Sequence, residues 1–139
     1  MKTVIAELSE EQIEFIKQKQ PDIVKKIQNN NVIMWNDRIE HIEKHRLDFQ
    51  DIYEFDDYVN QIPEIIKDPD YIGFKDKDNS LQFIKEFADN ILIAVRITNK
   101  GELSFRTMYK ITDSQLNNYI RKGTAWKYKN NCWQIKYIW

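Results

Sequence analysis

Both histidines of the chain fall in one short stretch, Asp37-Arg38-Ile39-Glu40-His41-Ile42-Glu43-Lys44-His45-Arg46. Imidazole titrates near neutral pH, so this pair is the most obvious acid/base equipment in the chain. On a helix, a spacing of four stacks His41 and His45 on one face, about one turn apart. As metal ligands they would need further partners. The order is H-x-E-x-H rather than the H-E-x-x-H of zincins, and no third histidine exists. No metal and no cofactor is therefore expected. The structural alternative is a helix whose histidines cap or pack while Lys44 and Arg46 stay solvated.

A second group of chemistry-bearing residues lies on a hairpin, Leu92–Arg96 with Leu103–Lys110. Strict alternation puts Leu92, Ala94, Arg96 and Thr98 on one face of the first strand. On the return strand it puts Leu103, Phe105, Thr107 and Tyr109 on one face, and Ser104, Arg106, Met108 and Lys110 on the other. A guanidinium fork, a hydroxyl and a phenol held on a sheet can clamp a phosphate, because arginine meets phosphate oxygens bidentately. The alternative is a half-wet sheet with polar residues on its exposed face. A third group, Arg121-Lys122-Gly123-Thr124, stands at an expected helix end, where cations also complement the helix dipole. No P-loop, dinucleotide fingerprint or nucleophile elbow is present.

These residues need elements to position them. Ser9 followed by Glu10, Glu11 and Gln12 reads as a capped helix start, and Pro21 breaks or restarts that helix. Val32–Trp35 is a strand or a buried lead-in, and Asn36 or Asp37 caps the histidine helix. A further helix is expected over Ile52–Ile62, with a last turn from Pro63 to Ile66. The apolar period then changes to two. Strands are expected at Tyr71–Phe74, Leu81–Phe87, Ile91–Thr98 and Glu102–Ile111, with Asn99-Lys100-Gly101 as a hairpin turn. Asp113 caps a helix that ends at Gly123, and Trp126–Trp139 adds an edge strand. Helices followed by a strand meander make an α+β order. The expectation is one domain over 1–139, helical over about 8–66 and sheet over about 71–139.

Composition sets the bounds. The chain of 139 residues is 42% hydrophobic, 31% charged and 13% aromatic, enough for a real core. Cys132 is the only cysteine, so no internal disulfide is possible and a reducing compartment is favoured. The first residues carry no signal-like apolar run, and no stretch suits a membrane span, so a cytoplasmic location is expected. The net charge of −1 does not by itself announce a nucleic-acid binder. Its distribution is uneven, however. Asp48, Asp51, Glu54, Asp56 and Asp57 form an acidic stretch, while the last third is rich in Lys and Arg.

Three segments carry a family resemblance: His41 with Lys44 and His45; Ile62-Pro63-Glu64-Ile65-Ile66-Lys67-Asp68-Pro69-Asp70-Tyr71-Ile72-Gly73; and Phe105-Arg106-Thr107-Met108-Tyr109. In this order, over roughly residues 37–123, the chain resembles the phage-associated branch of the barnase–EndoU–colicin–RelE nucleases. The resemblance implies N-terminal helices packed on a twisted four- to five-stranded antiparallel sheet. It implies a metal-independent endoribonuclease, carried by a phage or mobile element, that cleaves RNA through a cyclic phosphate. His41 or His45 would then be the base or acid. Arg96 or Arg106 would stabilise the transition-state charge, and Thr107 with Tyr109 would orient the phosphate. Lys44, Lys110 and Lys122 would add positive charge. Trp126, Tyr128, Trp133 and Tyr137 could stack a base, although packing is the simpler role. The expected partners are RNA and a cognate inhibitor or phage protein. The competing function is a non-enzymatic, immunity- or inhibitor-like module whose acidic stretch masks a basic partner.

Overall fold

The computed structural model describes residues 1–49 and 52–128. The elements are β1 (Lys2–Glu7), α1 (Glu10–Lys19), α2 (Pro21–Val24), β2 (Asn31–Trp35) and α3 (Arg38–Ile42), which runs on as a 3-10 segment, Glu43–Asp48. Then come α4 (Ile52–Asn60), α5 (Ile62–Lys67), β3 (Tyr71–Lys75), β4 (Ser80–Glu86), β5 (Asn90–Ile97), β6 (Leu103–Ile111), α6 (Asp113–Arg121) and β7 (Ala125–Lys127).

The α+β expectation holds, but the sheet is larger than expected. It has seven strands in the order β1-β2-β6-β5-β4-β3-β7. Two of them lie in the N-terminal half: β1 precedes the stretch expected to be helical, and β2 falls on Val32–Trp35, read as a strand or a buried lead-in. All pairs are antiparallel except β2 with β6, which run parallel and pair only at Val32–Leu103 and Ile33–Ser104. Beyond Ser104 the outer edge of β6 is not covered by β2, and α3 with its 3-10 extension packs there.

Several local signals act as read. Ser9 and Gln12 form a reciprocal capping box at α1, and Gln12 goes further, donating from Nε2 to the Ile66 carbonyl at 2.8 Å to tie α1 to α5. Pro21 and Pro63 sit in the first turns of α2 and α5, where a missing N–H costs nothing. The α6 cap is Thr112 rather than Asp113, again with a capping box, to Gln115. Asp37 occupies the N-cap of α3 but makes no side-chain cap bond. Gly101 turns the β5–β6 hairpin at φ +84°. It also lies so close to the α2 exit loop that a Cβ would meet Gln28 side-chain carbons.

The core lies in two clusters. The larger joins Ile16, Ile42, Phe55, Ile62, Ile65 and Ile66 of the helices to strand residues such as Ile91, Ile93, Val95, Phe105 and Met108. The smaller, on the other face of the sheet, joins Ile84, Leu92, Ala94 and Ile111 to Leu116 of α6, with Tyr71, Tyr109 and Tyr119 packed against it. Of the aromatic tail, Trp126 pairs with Ile72 in β7 and Tyr128 meets Phe15 edge-on at 5.0 Å. Residues 129–139, with Cys132, Trp133 and Tyr137, lie outside the described residues, as does Asp51. Among the described residues, no helix is long and apolar enough to cross a membrane.

Candidate active site

The hairpin does not keep strict alternation. Ala94 pairs with Thr107 but Val95 pairs with Phe105, so Arg106 is an extra residue in β6, a β-bulge. A bulge re-aims the residues around it. Up to Phe105 the inward set is Leu103 and Phe105; beyond the bulge it is Met108. Thr107 and Tyr109, expected opposite Ser104, are thereby moved to its face, across from Ala94 and Leu92 and in line with the Arg96–Ser104 pair. The face of the sheet away from the larger core thus carries Arg96, Ser104, Thr107 and Tyr109, next to the apolar Leu92 and Ala94.

Beside this face lies a cleft of about 510 Å³ lined by Arg96, Ser104 and Arg106 from the hairpin and by Trp35, Asp37 and Arg38 from the β2–α3 junction. Arg38 is held in place by donating from Nη1 to the Arg106 carbonyl at 3.2 Å, and its Nε lies 3.9 Å from the Asp37 carboxylate. The guanidiniums of Arg96 and Arg106 are exposed and have no carboxylate partner among the described residues. Trp35 is 43% exposed, an unusual setting for an indole. Like charges facing a shared hollow, with one carboxylate between three of them, create a local positive potential that net charge conceals.

The histidines part company. After Ile42 the helix tightens to a 3-10 segment, which has three residues per turn, so residues four apart no longer share a face. His41 is exposed on α3. His45 is half-buried, its ring 5.7 Å from that of Tyr109 and tilted by 36°, with Nδ1 3.4 Å from an Asp48 oxygen. Burial pushes the Tyr109 phenol up to about 12, so it is a proton donor at neutral pH and not a base. The Thr107 hydroxyl is shielded and lacks a hydrogen-bond partner among the described residues.

The remaining residues divide. Lys44 is exposed in the 3-10 segment. Lys110 points to the helical face, over the Phe49 ring at 5.3 Å and 3.5 Å from Asp89. Lys122 closes α6 and does not line the cleft. In the acidic stretch, Asp48 faces His45 and Asp56 pairs with Arg46, which also forks onto Glu43. Sequence reasoning missed Arg38 and Trp35 as site residues. Their signal was the position of Trp35-Asn36-Asp37-Arg38 at a strand-to-helix junction, where side chains gather at a sheet end. Among the described residues, no three His, Cys, Asp or Glu side chains converge as a metal site would require.

No curated protein and no solved structure matches the chain. A family model does, over residues 3–118, extending the resemblance back through β1 and α1. By that match the chain belongs to the family described as phage-Barnase-EndoU-ColicinE5/D-RelE like nuclease3.

Proposed function

We propose that the protein is an endoribonuclease acting on single-stranded RNA without a metal ion. The ribose 2′-hydroxyl attacks the adjacent phosphate, expelling the 5′-oxygen of the next nucleotide and leaving a 2′,3′-cyclic phosphate. The observation that carries this reading is the meeting of Arg38, Arg96, Arg106 and the exposed Trp35 in one cleft, beside a strand that sets Tyr109 against His45.

The roles follow from chemistry. When His45 Nδ1 carries its proton and donates to Asp48, Nε2 is left with a lone pair to take the 2′-hydroxyl proton. The neutral Tyr109 phenol can donate to the departing 5′-oxygen or to a phosphate oxygen. Arg96 and Arg106 neutralise the charge that builds on the phosphorane, an effect worth more in the transition state than in the ground state. Trp35 gives the neighbouring base a stacking surface. His41 is the second imidazole within the same segment, and Lys44 a cation beside it.

The direct test is incubation of unstructured RNA with the protein in excess chelator, with mass spectrometry of the ends. Cyclic phosphate termini are expected, together with resistance of the matching DNA. His45→Ala and Arg106→Ala should each lower the rate by about 10²–10³-fold. Intact RNA after incubation with folded wild-type protein would overturn the proposal.

A further inference from the structure

A second hollow, of about 460 Å³, adjoins the cleft. Three separate pieces of chain build it: the α2 exit loop with Lys26 and Gln28, Asn79 ahead of β4, and the hairpin tip Thr98 to Gly101. Thr98 lines both the cleft and this hollow. Its walls are held by specific interactions. Gln28 donates its backbone N–H to the Gly101 carbonyl at 3.0 Å. Asn79 adopts the left-handed conformation at φ 54° and donates from Nδ2 to the Ile97 carbonyl at 2.7 Å. Lys26 Nζ donates to Asn79 Oδ1 at 3.3 Å, a neutral acceptor, and the ammonium has no carboxylate partner among the described residues. Lys100 sits exposed at the hairpin tip, and among the described residues no carboxylate lines the hollow.

Two ammonium groups around a polar hollow suit a phosphate, and lysine serves there as a point charge. Thr98 follows directly on β5, two residues after Arg96, roughly 7 Å further along the chain at two residues' rise. Resting on the nuclease reading above, we propose that this hollow is a distal subsite for a backbone phosphate of the same RNA strand. The substrate then runs from the arginine cleft across Thr98 to Lys26 and Lys100, and the enzyme prefers strands of several nucleotides over a minimal one.

The test uses 2′-O-methyl oligonucleotides, which lack the nucleophile, titrated into the full chain by calorimetry. An octanucleotide should bind wild type at least ten-fold more tightly than a trinucleotide. In the Lys26→Ala/Lys100→Ala variant that ratio should fall by about ten-fold. The salt slope of octanucleotide binding should shrink by about 0.7, for the one phosphate no longer neutralised. Lys26→Gln/Lys100→Gln, which removes the charge but keeps a polar side chain at each position, should match it. Equal affinity for the two lengths in wild type, or a ratio untouched by both variants, overturns the subsite and leaves the nuclease reading intact. Binding of neither strand overturns both.

Discussion

Arg106 is a single inserted residue that decides which side chains can cooperate. In a strictly alternating strand it would share a face with Met108 and Lys110, and Thr107 and Tyr109 would point into the helical core. The bulge instead buries Met108 and turns Thr107 and Tyr109 onto the face of Arg96. Nothing in the run Phe105-Arg106-Thr107-Met108-Tyr109 announces it, because a one-residue slip is a property of the pairing with β5 and not of the local pattern. The residue types of the candidate site were legible in the sequence, while their grouping was not. Tyr109 provides a test at this scale. Its folded-state phenol ionises near 12 against an ordinary value of 10.0, because burial disfavours the anion. Above pH 10 the unfolded chain loses this proton and the folded one keeps it, so stability falls as pH rises from 10 towards 12, and below 10 nothing is lost. Thermal midpoints of wild type should therefore drop more steeply between pH 10 and 11.5 than those of Tyr109→Phe. Parallel curves would show that the phenol is not held in a dry site.

Between residue and fold stands the segment that carries the histidines. The sequence supports a helix from Asp37 onward, and Ile39 and Ile42 do face the core. The change to a 3-10 turn after Ile42 was not legible, since both helix types present apolar residues three apart. What holds the tightened turn is Arg46. It forks onto Glu43 through two bonds of 2.7 Å, pairs with Asp56 of α4 at 3.1 Å and lies over the Phe55 ring at 4.5 Å. The neighbouring acids hold its guanidinium protonated well beyond any accessible pH. This arginine positions His45 without belonging to the cleft. Arg46→Ala should leave RNA affinity nearly unchanged and lower kcat by about ten-fold through misplacement of the imidazole. Arg46→Lys should recover little, because an ammonium cannot fork onto Glu43 and also stack on Phe55. A change in KM with kcat preserved would move Arg46 from positioning to binding. The N-terminal strand escaped notice for a related reason. In β1 the register slips between Val4 and Ala6, which blurs its alternation, and its partner β2 joins β6 only through parallel pairing across just over seventy residues.

For the molecule as a whole, a net charge of −1 argues against a nucleic-acid protein only if charge is spread evenly. It is not. Asp48 and Asp56 of the acidic stretch are engaged by His45 and Arg46, whereas Arg96 and Arg106 reach the cleft without a carboxylate partner among the described residues. The sheet order brings this about by setting β6 between β5 and β2, so that Arg96, Arg106 and Arg38, distant in sequence, border one hollow. Binding should centre on this cleft and on the hollow that adjoins it at Thr98, and salt dependence can measure the share of the cleft. Three guanidinium–phosphate pairs imply a slope of log affinity on log salt of at least about −2 for an octanucleotide, or a loss of about 15-fold or more between roughly 50 and 200 mM salt. In the Arg96→Ala/Arg106→Ala variant the slope should lose about 1.4 of its magnitude. Were the full slope to survive that double substitution, the strand would be held elsewhere on the molecule, and the cleft would lose its claim to be the place where RNA is cut.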